Sequence, residues 1–256
     1  MPAAYASAQK RAELVAAATW LLHEQGFHRT TLADVADRAS VPLGNVYYYF
    51  KTKEALAEAV IAAHEQALCE RFASWDAAHR DPRARLRQLV RAPLDVADRV
   101  IQFGCPHGSL CQELEKLGDG APLARAGARL LAVYIDWSDA QFRALGCDNR
   151  ESRALATDLV ASVQGTMLLA HALRSSVLLV AGLRRVERWV DRAGPSNSPS
   201  GAKVVRKRSD HEPGPFHRHA EERRRHRYSR SRREARPACD EARELVTAAR
   251  ADKERK

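Results

Sequence analysis

Long apolar runs are missing from this chain. The longest uncharged apolar stretch, Val177 to Leu183, is far too short to cross a bilayer. The N-terminus lacks the basic patch and apolar block of a secretory signal. Aromatic residues are scarce, 6% of 256, and with 13 Gly and 11 Pro the chain is neither collagen-like nor wholly disordered. Five cysteines (Cys69, Cys105, Cys111, Cys147, Cys239) stand at irregular spacing. An odd count without an export signal reads as reduced thiols in the cytoplasm, not as a disulfide framework. Phosphate-binding glycine loops, a Gly-x-Ser-x-Gly elbow and His-Glu-x-x-His are also absent. The sequence therefore gives no ground to expect an enzyme, a cofactor or a metal.

What is present is charge, unevenly placed. The formal net charge is +10, yet residues 1–194 carry only +2 and residues 195–256 carry +8. The last 62 residues contain 15 of the hydrophobic types, too few for a core. They follow a breaker-rich linker that starts at Gly194-Pro195. This basic low-complexity tail is expected to be disordered. It reads either as a solvated extension or as a sequence-nonspecific nucleic-acid-binding arm.

Residues 1–194 read as an all-α chain, rich in Ala, Leu, Arg and Glu and without period-two alternation. Leu14, Ala18, Leu21 and Leu22 give a first helix an apolar stripe, and Gly26 ends it. Thr31 is placed to cap a second, short helix with Asp34 in its first turn. Ser40-Val41-Pro42 breaks it, and a third helix follows to about Phe50. Two short helices around a tight break, the second rich in polar and aromatic groups, form a helix-turn-helix that can enter a DNA major groove. Val46, Tyr49 and Phe50 read as core. The candidate DNA contacts are Arg29, Thr31, Leu43, Gly44, Asn45, Tyr47, Tyr48, Lys51 and Lys53. Asn45 can both donate and accept, as adenine reading requires, and the lysines can reach phosphates. Residues 1–60 hold six basic and six acidic groups, so placement rather than bulk charge must carry specific binding.

Gly26-Phe27, Thr30-Thr31, Leu32 to Ala36 and the string Val46 to Leu56 resemble the DNA-binding head of the tetracycline-repressor (TetR) family. That resemblance implies a two-domain, all-α protomer with a DNA-binding head at residues 1–53. A helical ligand-sensing and dimerisation domain would occupy residues 54–194. It also implies a homodimer formed through helices near 151–174 and 177–192, a double-stranded palindromic operator, and a repressor released by an unknown small-molecule inducer. Two departures stand out: Ser40 replaces a frequent glycine, and Pro42 replaces a Ser or Thr whose hydroxyl would meet a phosphate.

In the second domain, the polar or aromatic groups on otherwise apolar helices are Trp75, Phe103, Trp137, Gln164, Met167 and His171. With Cys105 and His107 they make the candidate ligand pocket. Residues 103–110 read as a loop-like interruption, and Gly104 to Cys111 resembles a segment that precedes the inducer-lining helix in part of the family. This segment has three readings: a packed loop, a pocket wall, or a redox or metal sensor built on Cys105, His107 and Cys111, whose spacing matches no common zinc motif.

Overall fold

The computed structural model describes residues 3–118 and 121–195. The expectations placed on the basic tail fall on residues 196–256, outside the described residues. Ten α-helices and one 3-10 turn make up the described chain, without a strand. They are α1 (Ala3–Glu24), α2 (Leu32–Arg38), α3 (Leu43–Tyr49), α4 (Lys53–Ala78), α5 (Pro82–Arg91), α6 (Ala97–Phe103), α7 (Pro106–Glu115), α8 (Pro122–Ala144), α9 (Asn149–Ala172) and α10 (Ser176–Arg192), with the 3-10 turn at Ala92–Val96.

Local chemistry sets most of these boundaries. Gly26 leaves α1 at φ +84°, in the left-handed region that only glycine adopts freely. A Cβ there would also strike the Glu113 carboxylate, 2.2 Å from its Oε1. At α2 the Thr31 hydroxyl accepts from the Asp34 amide, and the Asp34 carboxylate accepts from the Thr31 amide at 2.8 Å. This reciprocal capping satisfies two donors the helix would otherwise leave open. It also holds the Asp34 carboxyl below the usual carboxylate range. Asp81 and Asp148 cap α5 and α9 in the same sense, and Pro82 and Pro122 begin α5 and α8.

The α2–α3 turn passes through Ser40 at φ +54°, the position where the sequence departs from glycine. An L-residue there carries a steric penalty of about 1–2 kcal/mol. Ser40→Gly is therefore expected to raise stability by about 0.5–1 kcal/mol, glycine's greater unfolded-state entropy offsetting the rest. Urea unfolding of the two chains would measure it, and an unchanged or lowered midpoint would contradict it.

Leu14, Leu21, Phe27, Val35, Val46 and Phe50 seal the small core of the head. The long α4 joins head to body. Leu56, Ala57, Val60 and Ile61 are buried with the head, and Leu68, Cys69, Phe72 and Ala73 are buried farther along. The body packs α4 and α7 against α8, α8 against α9, and α9 against α10. Fully buried Leu86, Leu130, Phe142, Leu159, Leu179 and Leu183 form its core, each contributing roughly 1.5–3 kcal/mol of burial. The α9–α10 crossing is close because residue 182 is glycine. A Cβ on Gly182 would lie 2.4 Å from Thr166 Cγ2. Asp139, almost wholly buried on α8, binds Ser152 Oγ at 2.6 Å and Arg143 at 2.7 Å, which locks α8 to the start of α9.

The 103–110 interruption is much shorter than the sequence suggested. Only Gly104 and Cys105 lie outside a helix there. Pro106 sits in the first turn of α7, where its missing N–H is harmless, and the Cys105 sulfur accepts from the Gly108 amide.

Candidate nucleic-acid interface and inner chamber

Helix α3 is anchored by one residue and exposed by most of the others. Val46 is wholly buried, and Val41 and Phe50 close the core at either end. Pro42, Leu43, Gly44, Asn45, Tyr47 and Tyr48 all face solvent. Tyr48 is 72% exposed and Tyr47 47%. The Tyr48 ring meets Tyr49 edge-on at 4.9 Å, and the Tyr49 hydroxyl donates to Ser7 Oγ. An exposed aromatic is thus braced by one tied to α1. A Cβ on Gly44 would touch nothing within 4 Å, so the fold does not require glycine there.

The other candidate contacts are placed differently. Arg29 is exposed, with Nε donating to the Gln25 carbonyl. Thr31 is exposed, but its hydroxyl is occupied by the α2 cap. Lys51 is exposed. Lys53 is half-buried: its Nζ donates to the Phe27 and His28 carbonyls at 3.0 and 3.3 Å and lies over the Phe27 ring. It clasps the start of α4 to the turn after α1. No sequence signal distinguishes that clasp from a free phosphate-binding lysine.

Within the body, α4 to α9 and the 3-10 turn line a partly open chamber of about 90 Å³. It shares Leu68, Arg71, Trp75, Val96, Val100, Pro106 and His107 with a wide cleft between α1 and α4, lined also by Trp20, His23, His64 and Arg99. Of the candidate pocket residues, Trp75, Cys105, His107, Gln164 and Met167 line the chamber. Phe103, Trp137 and His171 do not. Phe103 packs edge-on against His23, away from the chamber wall. Trp137 stacks behind Phe72 at 4.5 Å and donates to Asp76. His171 donates from Nδ1 to the Ile101 carbonyl beside Gly104. All three are aromatic groups on the right helices, turned to structural partners.

Three residues that sequence reasoning missed belong to the site: His64, Arg71 and Tyr134. His64 and Arg71 lie at helical spacing with Leu68 and Trp75 on α4, so the shared face was legible although its role was not. The His107 ring joins two of them, 3.2 Å from His64 Nδ1 through Nε2 and 3.0 Å from the Tyr134 hydroxyl through Nδ1. Burial pushes the Tyr134 hydroxyl well up and both imidazoles down, His64 to about 4 from an ordinary 6.5. His23, whose Nε2 donates to the Gly104 carbonyl, is lowered by burial as well.

These histidines are neutral in the fold and would titrate near 6.5 when unfolded. The unfolded chain thus binds more protons as the pH drops from about 6.5 toward 4, and stability must fall in that window. His64 and His107 each account for at most about 1.4 kcal/mol per pH unit. Unfolding measured between pH 6.5 and 5 should show this slope, and His64→Gln should flatten it. An equal slope in the variant would refute the assignment.

The redox or metal reading of Cys105, His107 and Cys111 loses its basis here. Cys111 Sγ donates to the Gly127 carbonyl, while Cys105 caps α7 and His107 is committed to His64 and Tyr134. Burial raises both thiols, Cys111 to about 12, which disfavours the thiolate a reactive cysteine needs. Among the described residues no group of three or more His, Cys, Asp or Glu could hold a metal ion.

Helix α7 runs from this chamber to the head. Pro106 and His107 line the chamber, and Glu113 two turns later accepts from the His28 amide at 3.2 Å. Chamber and helix-turn-helix are therefore mechanically contiguous.

Comparison with known proteins agrees with the geometry. Residues 14–60 match the model of the family described as bacterial regulatory proteins, tetR family. The HTH-type transcriptional regulator BetI of Burkholderia ambifaria is 37% identical, over 59% of this chain and 92% of that protein. The crystal structure of a TetR transcriptional regulator from Legionella pneumophila superimposes with a TM-score of 0.63 at 20% identity, covering 70% of this chain and 94% of that one. The regulatory protein TetR from Rhodobacter sphaeroides does so at 0.58 and 27% identity, covering 69% and 96%. With its exposed recognition helix, its all-helical body and a relative matched over nearly its whole length, this chain belongs to the TetR family of DNA-binding transcriptional regulators.

Proposed function

We propose that the protein is a cytoplasmic repressor that binds a palindromic operator as a homodimer and releases it when a small molecule fills the chamber. The observation that carries this reading is α3, whose polar and aromatic residues are held outward by a single buried valine. Such a helix fits the major groove, with Asn45, Tyr47 and Tyr48 at base edges and Gly44 allowing close backbone approach. Arg29 and Lys51 are placed for phosphates, whereas the hydroxyl of Thr31 and the ammonium of Lys53 act through the geometry of the head.

One recognition helix reads few base pairs. Two, about one DNA turn (~34 Å) apart, read a palindrome. The dimer contact is assigned to the outer faces of α9 and α10, where Leu168, Leu169, Leu173 and Val177 are exposed. Gly165, on the same stretch of α9, opens onto free space. Release follows from the contiguity of chamber, α7 and head: a molecule that binds one arrangement of α7 better shifts the population toward it. Among the described residues no helix is long and apolar enough to cross a membrane.

The test is a gel shift and footprint on DNA adjoining the protein's own coding region. A protected, two-fold symmetric site is the expected result. Binding that is indifferent to sequence, or lost only on removal of residues 195–256, would instead assign DNA binding to the tail.

A further inference from the structure

We infer that the molecule taken by the chamber is a small organic anion, a carboxylate on an aromatic or branched hydrocarbon body, with Arg71 receiving its charge. This rests on the chamber being the inducer site.

Arg71 lies on the lining of both chamber and cleft, at their junction, with its side chain open to solvent. Among the described residues its guanidinium has no hydrogen bond, ion pair or ring contact. Its neighbour Arg99 is engaged, donating to His23 and lying over Trp20. The Arg71 charge is felt inside the chamber, where it lowers the basicity of His107 and opposes the upward push on Tyr134.

Among the described residues no aspartate or glutamate lines the chamber, and the cleft contributes only Asp95. A cation would meet ring faces but also an unneutralised arginine. A carboxylate would meet a planar donor fork suited to two parallel hydrogen bonds. The neutral Tyr134–His107–His64 chain and Gln164 neither repel nor neutralise it, and they can orient a second polar group.

The remaining wall is apolar and sets the body. Phe72 and Trp75 offer ring faces, and Val160, Val163 and Met167 close the far side. A space of about 90 Å³ admits a single ring or a short branched chain. Larger bodies would have to extend past Arg71 into the cleft.

The experiment uses the full chain and two matched series: phenylacetate, phenylacetamide and phenethylamine; and 3-methylbutanoate, its amide and the corresponding amine. Calorimetry and thermal unfolding read binding, and a gel shift reads operator release. The carboxylates are expected to bind at least tenfold more tightly than the amides, with the amines weakest. Arg71→Gln should bring the carboxylates down to the level of the amides and leave the amides unchanged. Arg71→Lys should fall between, because an ammonium keeps the charge but loses the fork.

Amides or amines that bind as tightly as the carboxylates would overturn the inference, as would an Arg71→Gln chain with undiminished carboxylate affinity. If such a neutral or cationic compound also releases the operator, the inducer reading stands while the anion assignment fails. If none of the six binds at millimolar concentration the assignment also fails, and a thermal-shift screen of neutral fragments then tests the inducer reading separately.

Discussion

Replacing Leu169 with arginine is expected to convert a dimer into folded monomers and to weaken operator binding by roughly 10²–10⁴-fold. Leu169 is 57% exposed on α9 and is not part of the buried core of its own protomer. Its neighbours on the same surface are Leu168, Leu173 and, across the turn into α10, Val177, which is 75% exposed. Large apolar side chains exposed together along one stretch of chain are where a protein partner is expected. In a two-fold contact the substitution is made twice, so two arginines would be brought into one apolar interface. The loss in DNA affinity follows because each half-site would then be bound without the effective concentration supplied by the other. Sedimentation velocity and a gel shift on the same samples read the two effects. A variant that stays dimeric would move the interface elsewhere. One that becomes monomeric yet binds as before would show that dimerisation is not what gives affinity.

Tyr48→Ala and Asn45→Ala should each reduce operator affinity by about 10–100-fold, the worth of one good base contact, while leaving stability within about 0.5 kcal/mol. Both side chains are exposed on a helix held by Val46, so truncation removes nothing from the core. Gly44→Ala sharpens the test. Alanine is the better helix former by up to about 1 kcal/mol, and the added methyl meets open space within the protomer. A chain that is more stable but binds its operator worse can only be explained by close approach of something outside the fold. Unchanged operator affinity in all three variants would remove α3 from the interface.

Lys53 and Lys51 show where sequence reading stops. Both are lysines beside the recognition helix, and both are equally able to reach a phosphate on paper. Lys53 is turned inward by two carbonyls and a ring supplied by residues 27 and 28, some twenty-five positions earlier. The same holds for the aromatic groups of the body. Trp75 and Trp137 are alike in type and setting, yet only Trp75 reaches the chamber, because Phe72 stands in front of Trp137. Gly104, Pro106 and Gly108 suggested a long loop by composition. Helix α7 starts right after Gly104 and Cys105 and runs through the other two, because Pro106 falls in the first turn and Gly108 packs against Gln164 of α9, where a Cβ would lie 2.9 Å from the amide oxygen.

Helix starts and stops, the two-helix motif, its buried valine and its exposed polar face were all decided by the order of residues. Each depends on a cap, a breaker or a periodicity that acts within about four positions along the chain. The chamber, its unpaired Arg71, the His64–His107–Tyr134 chain and the Glu113 contact with the head were decided only when α4, α7, α8 and α9 crossed. Contacts between residues 27 to 85 positions apart are set by how whole helices pack, and helix packing follows the summed shape of the core rather than any local pattern.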